Sequence, residues 1–341
     1  MKKILRKAMS GEILSEAEIE KVLDEFMSDR VVAEQAAALL GAIASRGETA
    51  KEIATFATIM KSKCKQIQLK SSISNTGLID VCGTGGDGAK TFNISTAVAF
   101  VIAGAGAKVV KHGNRSVSSK SGSADVLEEL GVSIDVAPEK LQGILDDANM
   151  VFLFAPNHHP SMKHIRTIRE SIGVPTIFNL LGPLANPAEL NYQVVGVYDL
   201  NKCKKVANAL KEMGIQEAMV VHGQGGENLG LDEISTIGET IIYHLKNGEI
   251  KKSTLLPENI GIKKANFDDL KGGDAKENAR IILEILQGNK GPKRDVVVLN
   301  AAAALIVSGL AEDFEDGISK ASISIDTGAA MKVLEKLKNV S

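Results

Sequence analysis

The spacing of apolar positions changes near residue 75 and divides the chain into two parts. Residues 1–72 have apolar positions at helical spacing, and two segments open with the capping boxes Ser15-Glu16-Ala17-Glu18 and Thr49-Ala50-Lys51-Glu52. Residues 31–44 are apolar almost all round, which predicts a helix covered on more than one side. The rest of its own domain or a second copy of the chain could supply that cover, and the pattern favours neither.

From residue 78 onward, short apolar runs alternate with helical stretches. The runs occupy residues 78–82, 108–110, 150–155, 193–197, 218–222 and 241–244. This alternation predicts the α/β class: a central mixed sheet covered by helices, beside a small all-helical N-terminal domain. A further helical patch at 160–173 precedes the Pro- and Asn-marked segment 182–187, and Ala-rich helices are expected over 295–338.

These patterns predict two domains, for which 341 residues and a 44% hydrophobic content are sufficient. The helical domain is expected to comprise residues 1–72, joined by about 160–190. The α/β domain is expected to comprise residues 75–159 and 191–341.

A glycine-rich turn follows the first apolar run and carries the clearest chemistry. It reads Gly83-Thr84-Gly85-Gly86-Asp87. Glycines let backbone N–H groups approach a phosphate closely. Ser95 and Thr96 stand where the next helix should begin, and helix N-termini favour anions. The sequence therefore predicts a phosphate-binding loop at the carboxyl end of a strand.

Two well-known nucleotide loops fit this turn poorly. A triphosphate loop requires Lys at the position of Ala89. The dinucleotide fingerprint matches at its glycines, but it also needs an acidic residue about 20 positions on, where residues 108–115 are basic. Asp87 would repel a pyrophosphate unless a cation intervened. We therefore expect a phosphorylated ligand with a divalent metal rather than NAD.

A second polar segment follows the next apolar run. It begins at Lys111, and its hydroxyls and cations are Arg115, Ser116, Ser118, Ser119, Lys120, Ser121 and Ser123. A plain polar loop is the alternative interpretation. Two phosphate-type loops after consecutive strands would meet at one edge of the sheet, which favours a shared ligand.

Adjacent carboxylates mark a third segment. Gly223-Gln224-Gly225-Gly226-Glu227 mirrors the glycine-rich turn and is expected directly after a strand, with Asp232 and Glu233 shortly beyond. The alternative interpretation is a solvated acidic turn with no binding role. Because magnesium prefers oxygen ligands and bridges to phosphates, the phosphate loops favour a metal role for this pair.

Charge and cysteine content exclude several classes of protein. With 40 basic and 42 acidic side chains the net charge is −2, which argues against a general nucleic-acid binder. Cys64, Cys82 and Cys203 form no C-x-x-C pair, so we expect neither a zinc site nor a disulfide framework, and a cytoplasmic location fits. Cys82 is expected to be a buried strand residue rather than a nucleophile. The N-terminus lacks a signal-peptide run, and no membrane partner is expected.

Six motifs in fixed order give the chain a family likeness. They are Gly83-Thr84-Gly85-Gly86-Asp87, Asn93-Ile94-Ser95-Thr96, Lys111-His112-Gly113-Asn114, Ser121-Gly122-Ser123-Ala124-Asp125, Asn179-Leu180-Leu181-Gly182-Pro183-Leu184 and Asp232-Glu233. Over nearly its whole length the chain resembles the anthranilate phosphoribosyltransferases. The resemblance implies transfer of the phosphoribosyl group of phosphoribosyl pyrophosphate to the amino group of anthranilate, in tryptophan biosynthesis. It further implies Mg²⁺ and a homodimer formed through the helical domain.

The resemblance also implies three sets of site residues. For phosphoribosyl pyrophosphate they are Gly83, Thr84, Gly85, Gly86, Asp87, Thr91, Asn93, Ser95, Thr96, Lys111 and Ser123. For anthranilate they are Gly83, His112, Asn114, Arg169 and Gly182, and for the metal Ser95, Asp232 and Glu233. No dedicated nucleophile is implied, so catalysis would depend on positioning and metal electrostatics.

Several alternatives stay open. Without the resemblance, Arg166 and Arg169 are equal candidates for a carboxylate-binding arginine. His158 and His159 are adjacent, so we expect loop residues near the substrate entrance rather than a metal-binding pair. A pyrimidine nucleoside phosphorylase would share the fold class, and a non-catalytic nucleic-acid-binding relative would need a basic groove.

Overall fold

A computed structural model of the protein describes residues 1–28, 31–71, 77–116, 121–226 and 229–340. Within these ranges no helix is long and apolar enough to cross a membrane.

The N-terminal part of the chain is helical up to residue 62, whereas residues 63–71, also expected to be helical, lie outside any helix. The helices are α1 (Lys2–Met9), α2 (Glu16–Phe26), α3 (Ala33–Arg46) and α4 (Ala50–Ser62). Both predicted capping boxes are confirmed, because the side chains of Ser15 and Thr49 accept hydrogen bonds from the backbone N–H groups of Glu18 and Glu52, whose carboxylates bond back.

Helix α3 is covered on one face by its own chain. Leu39, Leu40 and Ile43 are fully buried. Val32, at its N-terminus, is 46% exposed, and Ala38 is also exposed. The second face is therefore accessible in a single chain.

The remainder of the chain contains a mixed sheet, as predicted. Its strands are β1 (Leu78–Gly83), β2 (Lys108–Gly113), β3 (Met150–Phe154), β4 (Tyr192–Gly196), β5 (Glu217–Gly226), β6 (Leu229–Leu231), β7 (Thr240–Lys246) and β8 (Glu249–Leu255). The order is β3-β2-β1-β4-β5-β7-β8, with β6 beside β5. The first five strands of this order are parallel, and β5, β7 and β8 are antiparallel.

Helices cover the sheet. They are α5 (Ile94–Gly104), α6 (Ser123–Glu129), α7 (Pro138–Ala148), α8 (Ala155–His158), α9 (Lys163–Ile172), α10 (Phe178–Leu184), α11 (Leu200–Glu212), α12 (Ala275–Leu286), α13 (Pro292–Val307), α14 (Phe314–Asp326) and α15 (Ala329–Lys338). Helices α5 and α13 are almost wholly buried, and they form the centre of the large core together with β1, β2 and β3.

A second hydrophobic core joins the N-terminal helices to α9 and α10. Ile165 and Phe178 belong to it, and the ring of Phe178 lies 6.1 Å from that of Phe26 in α2. The same core continues onto α11, β4 and β5. This packing supports the joining of residues 160–190 to the helical part, and the exact domain limits stay a prediction.

The second glycine-rich segment differs from its prediction. Gly223 to Gly226 lie inside β5 rather than in a turn after it, and Glu227 lies outside the described residues. The reason is close packing, because a Cβ atom at Gly223 would stand 2.4 Å from the carbonyl oxygen of Glu233. These glycines admit a neighbouring segment instead of forming a phosphate loop.

Candidate active site

The glycine-rich loop follows β1, the strand from which the chain connections run to opposite sides of the sheet. Strand β1 has β2 on one side and β4 on the other, and all three run parallel. In open α/β sheets ligands bind outside the carboxyl ends of strands at such a switch point. The loops after β1 and β2 therefore meet at one edge, as the sequence predicted.

Backbone geometry explains the glycines of this loop. Gly85, Gly86 and Gly88 have φ values of 69°, 81° and 68°, a region that side chains with a Cβ rarely adopt. Asp87 Oδ1 accepts a hydrogen bond from the N–H of Ala89 at 3.0 Å, which shapes the turn. The Asp87 carboxylate thus stabilises the conformation of the loop.

The Asp232-Glu233 segment packs directly onto the glycine-rich loop. Asp232 Oδ2 accepts a hydrogen bond from the N–H of Gly85 at 2.7 Å. A Cβ atom at Gly83 would lie 2.0 Å from the same oxygen, and one at Gly196 would lie 1.6 Å from the Asp232 carbonyl oxygen. Glycine is required at both strand ends because the acidic segment crosses them in contact.

Burial and mutual repulsion raise the pKa values of the Asp232 and Glu233 carboxyl groups. Burial, and then the charge of Asp87, raise the pKa of Asp232 to about 7. Burial and the charge of Asp232 also raise the pKa of Glu233, while Lys111 opposes the shift. A cation would relieve this repulsion. Across the described ranges no three Asp, Glu, His or Cys side chains form a metal cluster, so a magnesium ion here would also need phosphate or water oxygens.

Helix α5 begins beside the acidic pair. Asn93 is its N-cap residue, so Ser95 and Thr96 stand in the first turn, as predicted. The backbone N–H of Ser95 opposes the rise in the pKa of Glu233. Asn93 Oδ1 accepts a hydrogen bond from Asn278 Nδ2 at 2.8 Å, which fixes this end of the helix to α12. Thr91 lies just before this turn and forms an isolated antiparallel β-bridge with Lys271.

Lys111 lies beneath the loop. Its Nζ donates hydrogen bonds to the carbonyl of Val81 at 2.7 Å and to Ser95 Oγ at 3.3 Å, and its side chain is almost fully buried. The ammonium group therefore contributes positive charge below the phosphate loop and ties α5 to the end of β1.

The loop after β2 is organised by one carboxylate. Asp125 Oδ2 accepts hydrogen bonds from the N–H groups of Gly122 and Ser116, at 2.8 and 3.0 Å. Ser123 opens α6 and lies against Gly113, where a Cβ atom would be 2.1 Å from its hydroxyl. Ser118, Ser119 and Lys120 lie outside the described residues.

Histidines surround the inner end of β2. The ring of His112 lies 5.5 Å from that of His159, and burial, followed by the charges of His159 and His158, lowers the pKa of His112 to about 3. His112 is therefore neutral, and its Nε2 is buried without a partner among the residues described. His159 Nε2 bonds to the carbonyl of Ala185 at 2.8 Å and His158 Nδ1 to that of Lys65 at 3.4 Å. The expectation of two loop residues is wrong for His158, which is the buried last residue of α8, whereas His159 follows the helix.

The two arginines of α9 have different surroundings. Arg166 is exposed and donates to Glu170 at 2.8 Å. Arg169 is half-buried with its guanidinium 5.2 Å from the ring of Phe178, and burial lowers its pKa. In the described part of the chain Arg169 has no hydrogen-bonding or ion-pair partner. The Arg169 guanidinium packs on Phe178, the first residue of α10, which also contains Gly182.

Several buried polar residues support the site, and none of them was among the predicted site residues. Asp80, Asn186, Asn278 and Asn300 are all almost fully buried. Buried polar groups need partners, so a lone Asp or Asn inside an apolar run is a signal that could have found them. Asp80 in Leu78–Gly83 and Asn300 in Pro292–Val307 fit that description.

Comparison with known proteins agrees with this geometry. Residues 75–331 match the family described as "Glycosyl transferase family, a/b domain", and residues 2–64 match "Glycosyl transferase family, helical bundle domain". A curated anthranilate phosphoribosyltransferase of Desulfatibacillum aliphaticivorans is 48% identical over 334 residues, covering 98% of this chain and 96% of the relative. The chain belongs to the anthranilate phosphoribosyltransferase family. Its relative from Thermoanaerobacter sp. is 47% identical, covering 99% of this chain and 97% of the relative.

Solved structures of family members share the fold. The anthranilate phosphoribosyltransferase of Thermus thermophilus superposes with a TM-score of 0.89 at 37% identity, covering 98% of each chain. That of Saccharomyces cerevisiae, solved in complex with PRPP and Mg, superposes with a TM-score of 0.88 at 30% identity, covering 99% of this chain and 96% of that chain. The predicted fold class is confirmed.

Proposed function

We propose that this chain is an anthranilate phosphoribosyltransferase. As a pentosyltransferase, it transfers the phosphoribosyl group of phosphoribosyl pyrophosphate to the amino group of anthranilate, and gives N-(5-phosphoribosyl)anthranilate and pyrophosphate. This is the second step of tryptophan biosynthesis from chorismate. The observation that carries the proposal is the hydrogen bond of 2.7 Å between Asp232 Oδ2 and the Gly85 N–H, which joins an acidic pair to a phosphate-type loop. The full-length identity with family members agrees.

The proposed site for phosphoribosyl pyrophosphate surrounds the loop after β1. Backbone N–H groups of the loop and the N-terminus of α5 favour anionic oxygens, and Lys111 adds positive charge from below. The residues proposed are Gly83, Thr84, Gly85, Gly86, Asp87, Thr91, Asn93, Ser95, Thr96, Lys111 and Ser123.

Magnesium is the proposed metal, held by Ser95, Asp232 and Glu233. The chemistry of the donors fits, because half-buried carboxylates that repel one another are stabilised by a hard cation. When bound, magnesium neutralises the negative charge that builds on the leaving pyrophosphate. The hydrogen bond from the Gly85 N–H holds the Asp232 carboxylate against the loop.

Anthranilate is proposed to bind between β2 and the helices α9 and α10. Arg169 supplies a guanidinium with no partner among the described residues, which suits the substrate carboxylate. Gly83, His112, Asn114 and Gly182 complete the proposed site. His112 is neutral at pH 7, and an aromatic amine loses its proton readily after attack, so positioning replaces a dedicated nucleophile or base.

A cysteine nucleophile is disfavoured by electrostatics. Burial raises the pKa of Cys82 well above its usual value, and the neighbouring Asp80 acts in the same direction. The thiol is therefore uncharged. Cys82 lies in β1 as predicted, but it is half-buried there rather than buried. Three free cysteines support a reducing cytoplasm as the location.

We also propose a homodimer formed through the helical part. Three large hydrophobic side chains of that part face solvent, with Met9 70%, Ile13 53% and Val32 46% exposed. Exposed apolar surface in one part of a molecule favours an interface there. The accessible face of α3 belongs to the same region.

The proposed reaction is separable from its rivals by the substrates it consumes. Purified protein is mixed with magnesium, phosphoribosyl pyrophosphate and anthranilate, and pyrophosphate release is followed. Release that requires anthranilate supports the proposal. Release without anthranilate would contradict anthranilate as the acceptor. Conversion of thymidine or uridine with inorganic phosphate, and no release of pyrophosphate, would support a nucleoside phosphorylase instead.

A further inference from the structure

We propose that Asn300 is a positioning residue for the metal-binding carboxylates. This inference rests on the proposed role of Asp232 and Glu233. Asn300 lies in α13 and touches neither carboxylate; it acts on the peptide unit that directly follows Glu233.

The side chain of Asn300 holds both polar groups of one backbone residue. Its Oδ1 accepts a hydrogen bond from the N–H of Ile234 at 2.8 Å, and its Nδ2 donates to the carbonyl of Ile234 at 2.9 Å. The Nδ2 also donates to the carbonyl of Val296 at 2.8 Å, which fixes the amide to its own helix. Asn300 is only 3% exposed, so water cannot replace these bonds.

The other side of the acidic segment is closed by glycines. A Cβ atom at Gly196 would lie 1.6 Å from the Asp232 carbonyl oxygen, and one at Gly223 would lie 2.4 Å from the Glu233 carbonyl oxygen. The strands therefore prevent the segment from moving toward the sheet. Asn300 prevents it from moving away, so the two carboxylates are held between α13 and the strand ends.

The turn beyond Ile234 is fixed by a different side chain. Ser235 Oγ donates to the carbonyl of Gln224 at 2.5 Å and accepts hydrogen bonds from the N–H groups of Ile237 and Gly238, at 2.9 and 3.2 Å. These bonds anchor the far end of the segment. Of these two side chains, Asn300 is the one that bonds to the residue directly after Glu233.

Only asparagine suits this position among side chains of its size. Aspartate has the same shape, but its carboxylate would face the Ile234 and Val296 carbonyls without protons to donate. Leucine would leave the Ile234 N–H and carbonyl buried and unpaired. Residues that orient metal ligands change metal affinity by roughly 10- to 100-fold when they are replaced.

The test is a Mn²⁺ titration in the presence of pyrophosphate, with free Mn²⁺ measured by electron paramagnetic resonance. For Asn300→Asp at pH 8 and Asn300→Leu we expect the Mn²⁺ dissociation constant to rise about tenfold or more. The Mg²⁺ concentration for half-maximal activity should rise in parallel, while KM for anthranilate stays within about twofold. If Asn300→Leu does not fold, Asn300→Asp decides the result, because its shape is unchanged.

Ser324→Ala is the matched control. It also removes a buried side-chain hydrogen bond, from Ser324 Oγ to the carbonyl of Val101 at 2.7 Å, but that bond joins α14 to α5 and not to the acidic segment. We expect it to lower the melting temperature without changing Mn²⁺ binding. Unchanged Mn²⁺ affinity in both Asn300 variants would overturn the inference.

A reference variant separates this inference from the proposed function. Asp232→Asn combined with Glu233→Gln should abolish Mn²⁺ binding and the magnesium requirement along with activity. If that double variant bound Mn²⁺ normally, the metal assignment itself would fail. If it lost binding while the Asn300 variants kept it, only the role of Asn300 would fail.

Discussion

Arg166 and Arg169 lie one helical turn apart, and their different burial distinguishes a surface residue from a candidate binding residue. Arg166 already has a partner in Glu170 at 2.8 Å, whereas Arg169 lies against the Phe178 ring without a partner among the described residues. A half-buried cation without a counter-ion costs free energy unless a ligand supplies the charge. This contrast supports the choice that the sequence pattern alone left open.

Arg169→Ala should therefore weaken anthranilate saturation selectively. We expect KM for anthranilate to rise at least about 30-fold, since a charge-assisted bond worth roughly 2 kcal/mol is lost. KM for phosphoribosyl pyrophosphate should change little. Steady-state kinetics with each substrate varied in turn provide the measurement.

Arg166→Ala serves as the control for that substitution, because it removes an exposed surface pair on the same helix. Both KM values should stay near those of the parent protein. An equal rise in both constants for Arg169→Ala would show that Arg169 is structural instead.

Single residues also show where sequence reasoning stops. The glycine-rich loop and Ser95 at a helix start were predictable because their signals are local. The apolar run around Asn300 marks it as a buried polar residue, but the partners of Asn186 and Asn300 were not predictable, because they lie 106 and 66 residues away in the chain. Such contacts become visible only when the fold brings distant segments together.

Among the helices, Glu52 joins three separate elements of the N-terminal part. Its carboxylate accepts hydrogen bonds from Arg46 at 2.7 Å and from the backbone N–H groups of Leu14 and Thr49, each at 3.1 Å. Burial opposes ionisation, but these donors outweigh it and lower the pKa of Glu52. The ionised carboxylate therefore ties the end of α3 and the α1–α2 connection to α4.

This lowered pKa gives stability that depends on pH. The contribution is present above the unfolded value, about 4.3, and is lost as the pH falls through the lower folded value. Glu52→Gln should reduce the free energy of unfolding at pH 7 by about 3 kcal/mol and should make stability fall less steeply in acid. Urea unfolding at pH 7 and at pH 4 measures both effects.

Glu20→Gln is the comparison variant, since Glu20 is exposed and lies 3.8 Å from Lys63. Its free energy of unfolding should change by less than about 1 kcal/mol. Equal losses for the two variants would mean that the buried network is no stronger than a surface pair.

Strand prediction succeeded for buried strands and failed at the edge. All six apolar runs overlap strands of the sheet, but the three-residue strand β6 and the edge strand β8 were missed. Strand β8 is Glu-Ile-Lys-Lys-Ser-Thr-Leu and mostly exposed, which gives no apolar run to detect. Charged side chains on an edge strand also discourage pairing with other chains. Strand β5 extends through glycines that looked like a turn, because only the fold shows what packs on them.

For the molecule as a whole, the connection between the two cores runs through Asn186. Its Nδ2 donates to Asp80 Oδ2 at 2.9 Å and to the carbonyl of Val110 at 2.8 Å, so one amide joins strands β1 and β2. The preceding Ala185 contacts His159, whose ring packs on His112. The segment after α10 is thereby fixed against the strands that carry both proposed substrate loops.

Asn186→Ala should loosen this connection. We expect KM for anthranilate to rise about tenfold, with a smaller change in KM for phosphoribosyl pyrophosphate, because the former site spans the connection. The free energy of unfolding should fall by about 2 kcal/mol. Kinetics and urea unfolding provide the measurements.

Asn208→Ala is the matched control, because Asn208 is a partly exposed asparagine of α11 whose Nδ2 donates to the carbonyl of Lys204 at 2.7 Å. It should leave both KM values unchanged. Proportional rises in the two constants for Asn186→Ala would contradict a role in joining the two parts.

The most direct test of the proposed activity is the fluorescence of anthranilate itself. Purified protein is mixed with anthranilate, phosphoribosyl pyrophosphate and magnesium, and the fluorescence is followed with and without a chelator. We predict a loss that requires both substrates, stops when magnesium is removed and is accompanied by an equal amount of pyrophosphate. Stable fluorescence, under conditions where a known family member consumes anthranilate, would contradict the assignment of anthranilate as the acceptor.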